Sequence, residues 1–155
     1  MKAKLFLIFL LTGLFIAPNI IAQDADRIEG YWLTQDGDSQ VKIFKATNGK
    51  YYGDIRWLEE PNEDDGTPKL DKNNQNEELK DRPVLGLQIL KSFEYDEDDK
   101  EWVDGTIYDP KNGKTYSCYM WFEDNDYNTL HVKGFIGVSI LGREVEWTRE
   151  EDLRE

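Results

Sequence analysis

Gly30-Tyr31-Trp32, where the chain turns apolar after an N-terminal leader, and Glu146-Trp147-Thr148-Arg149, near its end, bracket a run of short alternating segments. A Trp on the first strand meets an Arg on the last only if those strands are neighbours. Neighbouring end strands mean a sheet closed into a barrel. Between the brackets, strands read near 30–34, 40–46, 50–58, 84–91, 101–108, 114–122, 128–136 and 139–149. Turns such as Thr47-Asn48-Gly49, Asp96-Glu97-Asp98-Asp99 and Lys111-Asn112-Gly113 separate them. The spacing predicts an all-β, single antiparallel up-and-down barrel of about eight strands, mostly hairpin-connected.

Alternation assigns the faces. In the segment Lys114–Trp121, Tyr116, Cys118 and Met120 fall on one face, and in Leu130–Gly134 so do Leu130, Val132 and Gly134. These faces are expected to point inward. A hairpin centred on Asn125 sets Cys118 opposite Val132 and turns His131 to the other face, which disfavours a Cys–His nucleophilic pair. Gly53, Gly86, Gly105, Gly134 and Gly142 recur within strand segments, as barrel bends require.

Lys2 and Lys4 precede an apolar run from Leu5 to Ile16, followed by Ala17-Pro18 and Ile20-Ile21-Ala22. This is the pattern of a secretory signal peptide over residues 1–22, leaving one domain from 23 to 155. The expectation is an exported protein, periplasmic or secreted, soluble after cleavage and without stable membrane insertion. A domain of this size buries roughly two-thirds of its unfolded surface, enough for a core without cross-links. The leader carries two lysines and no acid, so its loss moves the formal charge from −13 to −15. Such a surface repels nucleic acid and anionic membrane faces. Cys118 is the single cysteine, so no internal disulfide forms.

Residues 59–82 break the rhythm with 24 residues between strands. Connections this long inside a compact domain are usually functional or disordered. Leu70 and Leu79 are positioned to dock this one as a lid over a barrel mouth.

Gly30-x-Trp32, Tyr52-Gly53-x-Ile55-x-Trp57, Leu70-Asp71-x-x-Asn74, Arg82-Pro83-x-Leu85-Gly86-Leu87, Gly105-x-Ile107-Tyr108-Asp109-Pro110-x-x-Gly113-x-x-Tyr116 and Trp147-Thr148-Arg149 run through nearly all of the exported part. Together they resemble the bacterial family known as domain of unknown function 2147. The resemblance implies an exported bacterial domain with a lipocalin-like barrel and brings no assigned activity. The sequence departs from the family pattern at Gln75, where Pro is expected. The Gly-x-Trp entry and terminal Arg are also similar to the wider lipocalin group, whose members commonly carry small apolar ligands.

Trp32, Trp147 and Arg149 read as structural, with the guanidinium over an indole at the closed end. Trp57, beside the long loop, is expected near the mouth, either as one wall of a ligand site, with Leu87, Tyr116, Met120 and Val132 as the rest of the apolar wall, or as a cap on the core under the loop. Asp71, Asn74, Arg82, Tyr108 and Asp109 form the candidate polar group, for the loop and a hairpin tip both overhang one barrel end. Arg82 is placed to pair with Asp71 and pin the lid, whereas Asp109-Pro110-Lys111-Asn112-Gly113 has the composition of a turn.

No metal or other cofactor is called for. Asp36-Gly37-Asp38, Asp71-Lys72-Asn73 and Asp124-Asn125-Asp126 do not fit the calcium-loop template, and one His with one Cys supplies too few ligands for zinc. No nucleophile elbow, phosphate-cradling loop or dinucleotide fingerprint occurs, and no catalytic residue is assigned. The expectation is a non-enzymatic barrel binding a small hydrophobic or amphipathic molecule. The alternative is a cell-envelope protein-interaction module with a filled barrel whose acidic loops bind a partner protein.

Overall fold

The computed structural model describes residues 24–138 and 141–155. The expected leader lies outside the described residues. Eight strands follow in order: β1 (Gly30–Leu33), β2 (Ser39–Lys45), β3 (Tyr51–Leu58), β4 (Gln88–Asp96), β5 (Glu101–Asp109), β6 (Lys114–Trp121), β7 (Thr129–Phe135) and β8 (Arg143–Glu150). Each pairs antiparallel with the next, and β1 pairs with β8, so the sheet is a closed up-and-down barrel. In that register Trp32 lies opposite Arg149.

One end is plugged. A short 3-10 turn, Asp26–Ile28, lies beneath the strands with Ile28 fully buried. It is held by two indole N–H groups: Trp32 Nε1 donates to the Ile28 carbonyl at 2.9 Å and Trp102 Nε1 to the Ala25 carbonyl at 3.1 Å. Above the plug, Trp102 meets Tyr95 at 5.0 Å and Phe122 at 5.4 Å between ring centroids. Trp32, Val41, Ile43, Leu90, Phe93, Met120, Leu130 and Val132 complete an interior with essentially no solvent exposure. Packing this dense leaves space only for side chains.

Gly105 shows how the lower barrel is filled. A Cβ at this position would lie 2.4 Å from the Phe93 ring, so the ring rests directly on the β5 backbone. Bulges accompany the close approach: the pairing shifts between Trp102 and Gly105, and Ser92 and Asp104 take positive φ on the two facing strands.

Three sequence expectations move. β4 begins at Gln88 and runs to Asp96, later than 84–91, because Val84–Leu87 forms the return of the long connection, with Leu85 exposed and Gly86 at φ 88°. The connection therefore spans residues 59–87. β8 begins at Arg143, later than 139, with Leu141 and Gly142 outside the strand. Finally, Cys118 lies opposite Gly134, and it is Met120 that faces Val132. The β6–β7 turn is centred one residue later than Asn125, which moves each partner by two residues and so preserves the faces.

Candidate functional site

The open end is formed by the β1–β2, β3–β4, β5–β6 and β7–β8 connections. Near it the register places Ile107, Tyr116, Gly134 and Val145 on the inward face, continuing the faces of Gly105, Cys118, Val132 and Trp147. A Cβ on Gly134 would sit 3.3 Å from Ile107 and 3.5 Å from Tyr116. These positions cluster on adjacent strands. Unlike the lower interior, all four are only partly buried. The barrel thus has two storeys, a packed lower one and an upper one where apolar inward residues keep contact with solvent.

Leu87 closes one side of this storey. The Ile55 N–H donates to the Leu87 carbonyl at 2.9 Å, so Leu87 stands beside inward-facing Ile55, and both are buried. Tyr116 joins it from β6, with its hydroxyl accepting from Asn112 Nδ2 at 3.0 Å. Met120 and Val132 lie deeper, 0 % and 1 % exposed, as part of the packed core. Of the expected apolar wall, Leu87 and Tyr116 border the upper storey, while Met120 and Val132 form its floor.

Trp57 is elsewhere, which corrects its expected place at the mouth. Gln40 pairs with Trp57 and Val41 with Ile55, so Arg56 is an extra residue in the ladder. The bulge turns Trp57 onto the outer face with Gln40, away from inward Ile55. There the C-terminal segment covers it: Trp57 Nε1 donates to the Glu155 carbonyl at 3.0 Å, and the Arg154 guanidinium lies 5.0 Å from the ring centroid. Gln40, fully buried, donates to Glu150 and to the Asp152 carbonyl at 2.7 and 2.8 Å, tying down the same segment.

The polar group divides in two. Asp71 is fully buried; its Oδ1 accepts from the Tyr108 hydroxyl at 2.6 Å, and its Oδ2 accepts from Asn74 Nδ2 at 2.8 Å and Arg82 Nε at 2.9 Å. Burial, followed by the donation to Asp71, pushes the Tyr108 phenol up to about 12. Both Asp71 oxygens accept bonds from within the protein and the carboxylate is fully buried, so it is not presented to a substrate. Since Ile107 faces inward, Tyr108 lies on the outer side of β5, and the cluster clamps the long connection to the barrel shoulder. Asp109 stands apart as a turn former, accepting from Lys111 N at 2.9 Å and Asn112 Nδ2 at 2.7 Å.

The connection 59–87 is bound to its surroundings throughout. Backbone bridges join Asn62 to Pro68 and Leu70 to Pro83. Asn73 Nδ2 donates to the Lys111 carbonyl at 3.0 Å, and its own carbonyl lies where a Cβ on Gly113 would be, 1.7 Å away. Only glycine permits that approach. Gly113 also has φ 72°, the left-handed region.

The β5–β6 turn carries a second contact that the sequence reading missed. Lys111 Nζ lies 2.7 Å from Asp38 and 3.2 Å from Asp36, on the β1–β2 turn. In an eight-strand ring, β1–β2 and β5–β6 are diametrically opposite, so this ion pair spans the mouth. Burial opposes ionisation of Asp38, but hydrogen bonds from Lys111, Ser39 and Thr34 outweigh it and hold the carboxyl below its usual range. The signal in sequence was the strand count itself, which sets those two turns face to face.

Other chemistry finds little support. Cys118 is inward and 2 % exposed, with burial pushing its thiol strongly upward, while His131 faces outward against Trp121 at 5.1 Å. They lie on opposite faces of the sheet. Among the described residues no group of three His, Cys, Asp or Glu is placed to hold a metal ion. A cleft of about 70 Å³ between Arg27, Tyr95, Trp102 and Tyr127 sits at the plugged end. No described helix is long and apolar enough to cross a membrane.

The comparisons agree with this architecture. Protein HP1028 from the human pathogen Helicobacter pylori, described as belonging to the lipocalin family, is similar to this chain at 25% identity and a TM-score of 0.64. The match covers 80% of this chain and 83% of that one. No curated protein sequence matches significantly. The barrel is lipocalin-like, and a fold of this kind is compatible with small-ligand binding and with a non-enzymatic role. Residues 30–149 match the family model described as "Uncharacterized protein conserved in bacteria (DUF2147)", and the chain belongs to that family.

Proposed function

We propose that this protein is an exported, non-enzymatic carrier or sensor that binds a hydrophobic or amphipathic small molecule in the upper storey of its barrel. The observation supporting this reading is the contrast between the two storeys. Inward apolar residues at Ile107, Tyr116 and Val145 are incompletely covered, although a few residues lower the interior is sealed by Trp32, Trp102 and Phe93. Apolar surface left in contact with water gains free energy when a ligand covers it. Lys111, reaching across the mouth to Asp36 and Asp38, serves as a latch over the entrance.

The test is native mass spectrometry of the protein purified gently from its own envelope, followed by organic extraction. A stoichiometric small molecule is expected. An empty protein, also indifferent to a panel of fatty acids and isoprenoids, would overturn the reading in favour of the filled interaction module.

A further inference from the structure

The β7–β8 hairpin ends in an apolar tip that the barrel interior does not use. Ile136 is 69%, Val138 61% and Leu141 80% exposed, whereas most large apolar side chains among the described residues are buried or partly buried. At its base Phe135 packs edge-on against Tyr119, with ring centroids 6.1 Å apart, so the tip projects from a braced strand pair. It also stands at the mouth. Arg143 pairs with Gly134, the inward position beside Ile107 and Tyr116.

The charge around this tip differs from the charge of the whole. From Thr129 to Arg143 there are two cations, Lys133 and Arg143, and no acidic residue, in a chain with 32 acids and 19 bases. Lys133 has only a loose partner, Glu144 at 4.0 Å. Exposed aliphatic side chains flanked by cations match the boundary between acyl chains and headgroup phosphates.

Other occupants fit less well. Two copies meeting tip to tip would bring Arg143 towards Arg143 on chains that are both strongly acidic. A protein partner would be expected to find aromatic anchors in a flat patch with a polar rim, and this is a narrow aliphatic protrusion. We propose that the β7–β8 tip docks the barrel mouth reversibly on a lipid bilayer with zwitterionic headgroups. The strongly acidic remainder of the surface opposes anionic lipid. At physiological salt the screening length is about 8 Å, so acids beyond the mouth are screened from the tip, while Asp36 and Asp38 are paired with Lys111 and Glu144 lies beside Lys133. Docking there would let an amphipathic molecule pass between bilayer and barrel without crossing water. That consequence rests on the ligand-binding reading, but the docking itself does not.

The test is sedimentation of the exported protein with phosphatidylcholine vesicles at 0.15 M salt, a concentration that sets the screening length just given. Co-sedimentation is expected, with at least a tenfold loss of partitioning in the double substitution Ile136→Ser, Leu141→Ser and a several-fold loss in Arg143→Gln. Because these side chains are exposed, the melting temperature should hold in every variant. Wild-type protein that stays in the supernatant, or variants that partition equally, would overturn the proposal. So would dimerisation seen by light scattering and removed by the same substitutions, which would make the tip a contact between copies. An apolar fluorescent probe added without vesicles separates the two readings: a barrel that takes the probe but ignores vesicles refutes docking alone.

Discussion

The Arg149 guanidinium lies 4.2 Å from the ring centroid of Trp32, its cross-strand partner at the seam where the last strand meets the first. The same guanidinium donates to the carbonyls of Tyr127 at 2.7 Å, Glu29 at 3.0 Å and Arg27. One side chain therefore fastens β8, the β6–β7 turn and the N-terminal plug. Trp32→Ala should cost about 3–5 kcal/mol, the usual loss for a buried aromatic. Arg149→Lys should also destabilise the fold, because an ammonium cannot reach three divergent carbonyls. Urea denaturation measures both. Unchanged midpoints would contradict the seam's structural role.

Trp57 offers a contrasting case. With its ring on the outer face beneath Arg154 and Glu155, Trp57→Ala should leave probe binding unchanged. Removing residues 151–155 should make Trp57 more accessible to an aqueous quencher such as iodide. Loss of probe binding in Trp57→Ala would return this residue to the ligand wall.

The difference between these two tryptophans shows where sequence reasoning reaches. Strand count, seam and inward faces follow from period-two alternation, which survives small errors in turn length. Cys118 stayed on its face even though its partner changed from Val132 to Gly134. Trp57 escaped because a single extra residue, Arg56, reverses the alternation and leaves no mark in composition. The pairing of Arg82 with Asp71 was legible as complementary charges within one loop. Three other features were hidden: the 3-10 plug, the C-terminal cover over Trp57, and Lys111 reaching Asp38. Each depends on a contact between segments far apart in sequence.

The clamp on the long connection is expected to fail in a specific way. Asp71→Asn removes the charge that Arg82 and Tyr108 share in a buried site, for a loss of about 3 kcal/mol. Gly113→Ala places a methyl against the Asn73 carbonyl and should lift the connection from the β5–β6 turn. Hydrogen exchange should quicken across residues 59–87 in both variants, with the lower barrel still protected. Uniform acceleration throughout the barrel would mean that the clamp supports the whole fold.

Alkali should act on the same clamp. Burial and the bond to Asp71 push the Tyr108 phenol up from 10 to about 12, so the neutral hydroxyl contributes stability that is complete below pH 10. This contribution disappears as pH rises from 10 to about 12. Limited proteolysis of the 59–87 connection should accelerate in that window, and Tyr108→Phe should make cleavage fast already at neutral pH. A connection equally resistant at both ends of the range would contradict the assigned hydrogen bond.

Acid should act on the mouth. Asp38 is held below its usual 3.8, so its attraction for Lys111 is complete above that pH and fades as pH falls through the lowered value. Lys111→Met removes the latch without acid. Stopped-flow measurement should show faster probe entry in this variant at neutral pH, with little change in melting temperature because the pair is largely exposed. Equal entry rates would place the route of access elsewhere.

The central claim is that the upper storey is the ligand site, and filling it tests that claim most directly. Titration of an apolar fluorescent probe into wild-type protein and Val145→Trp should give saturable binding of one probe per chain to the first. Binding should be lost in the second, with its melting temperature preserved. A wild-type barrel that takes no probe, or a Val145→Trp barrel that binds as well as wild type, would contradict it.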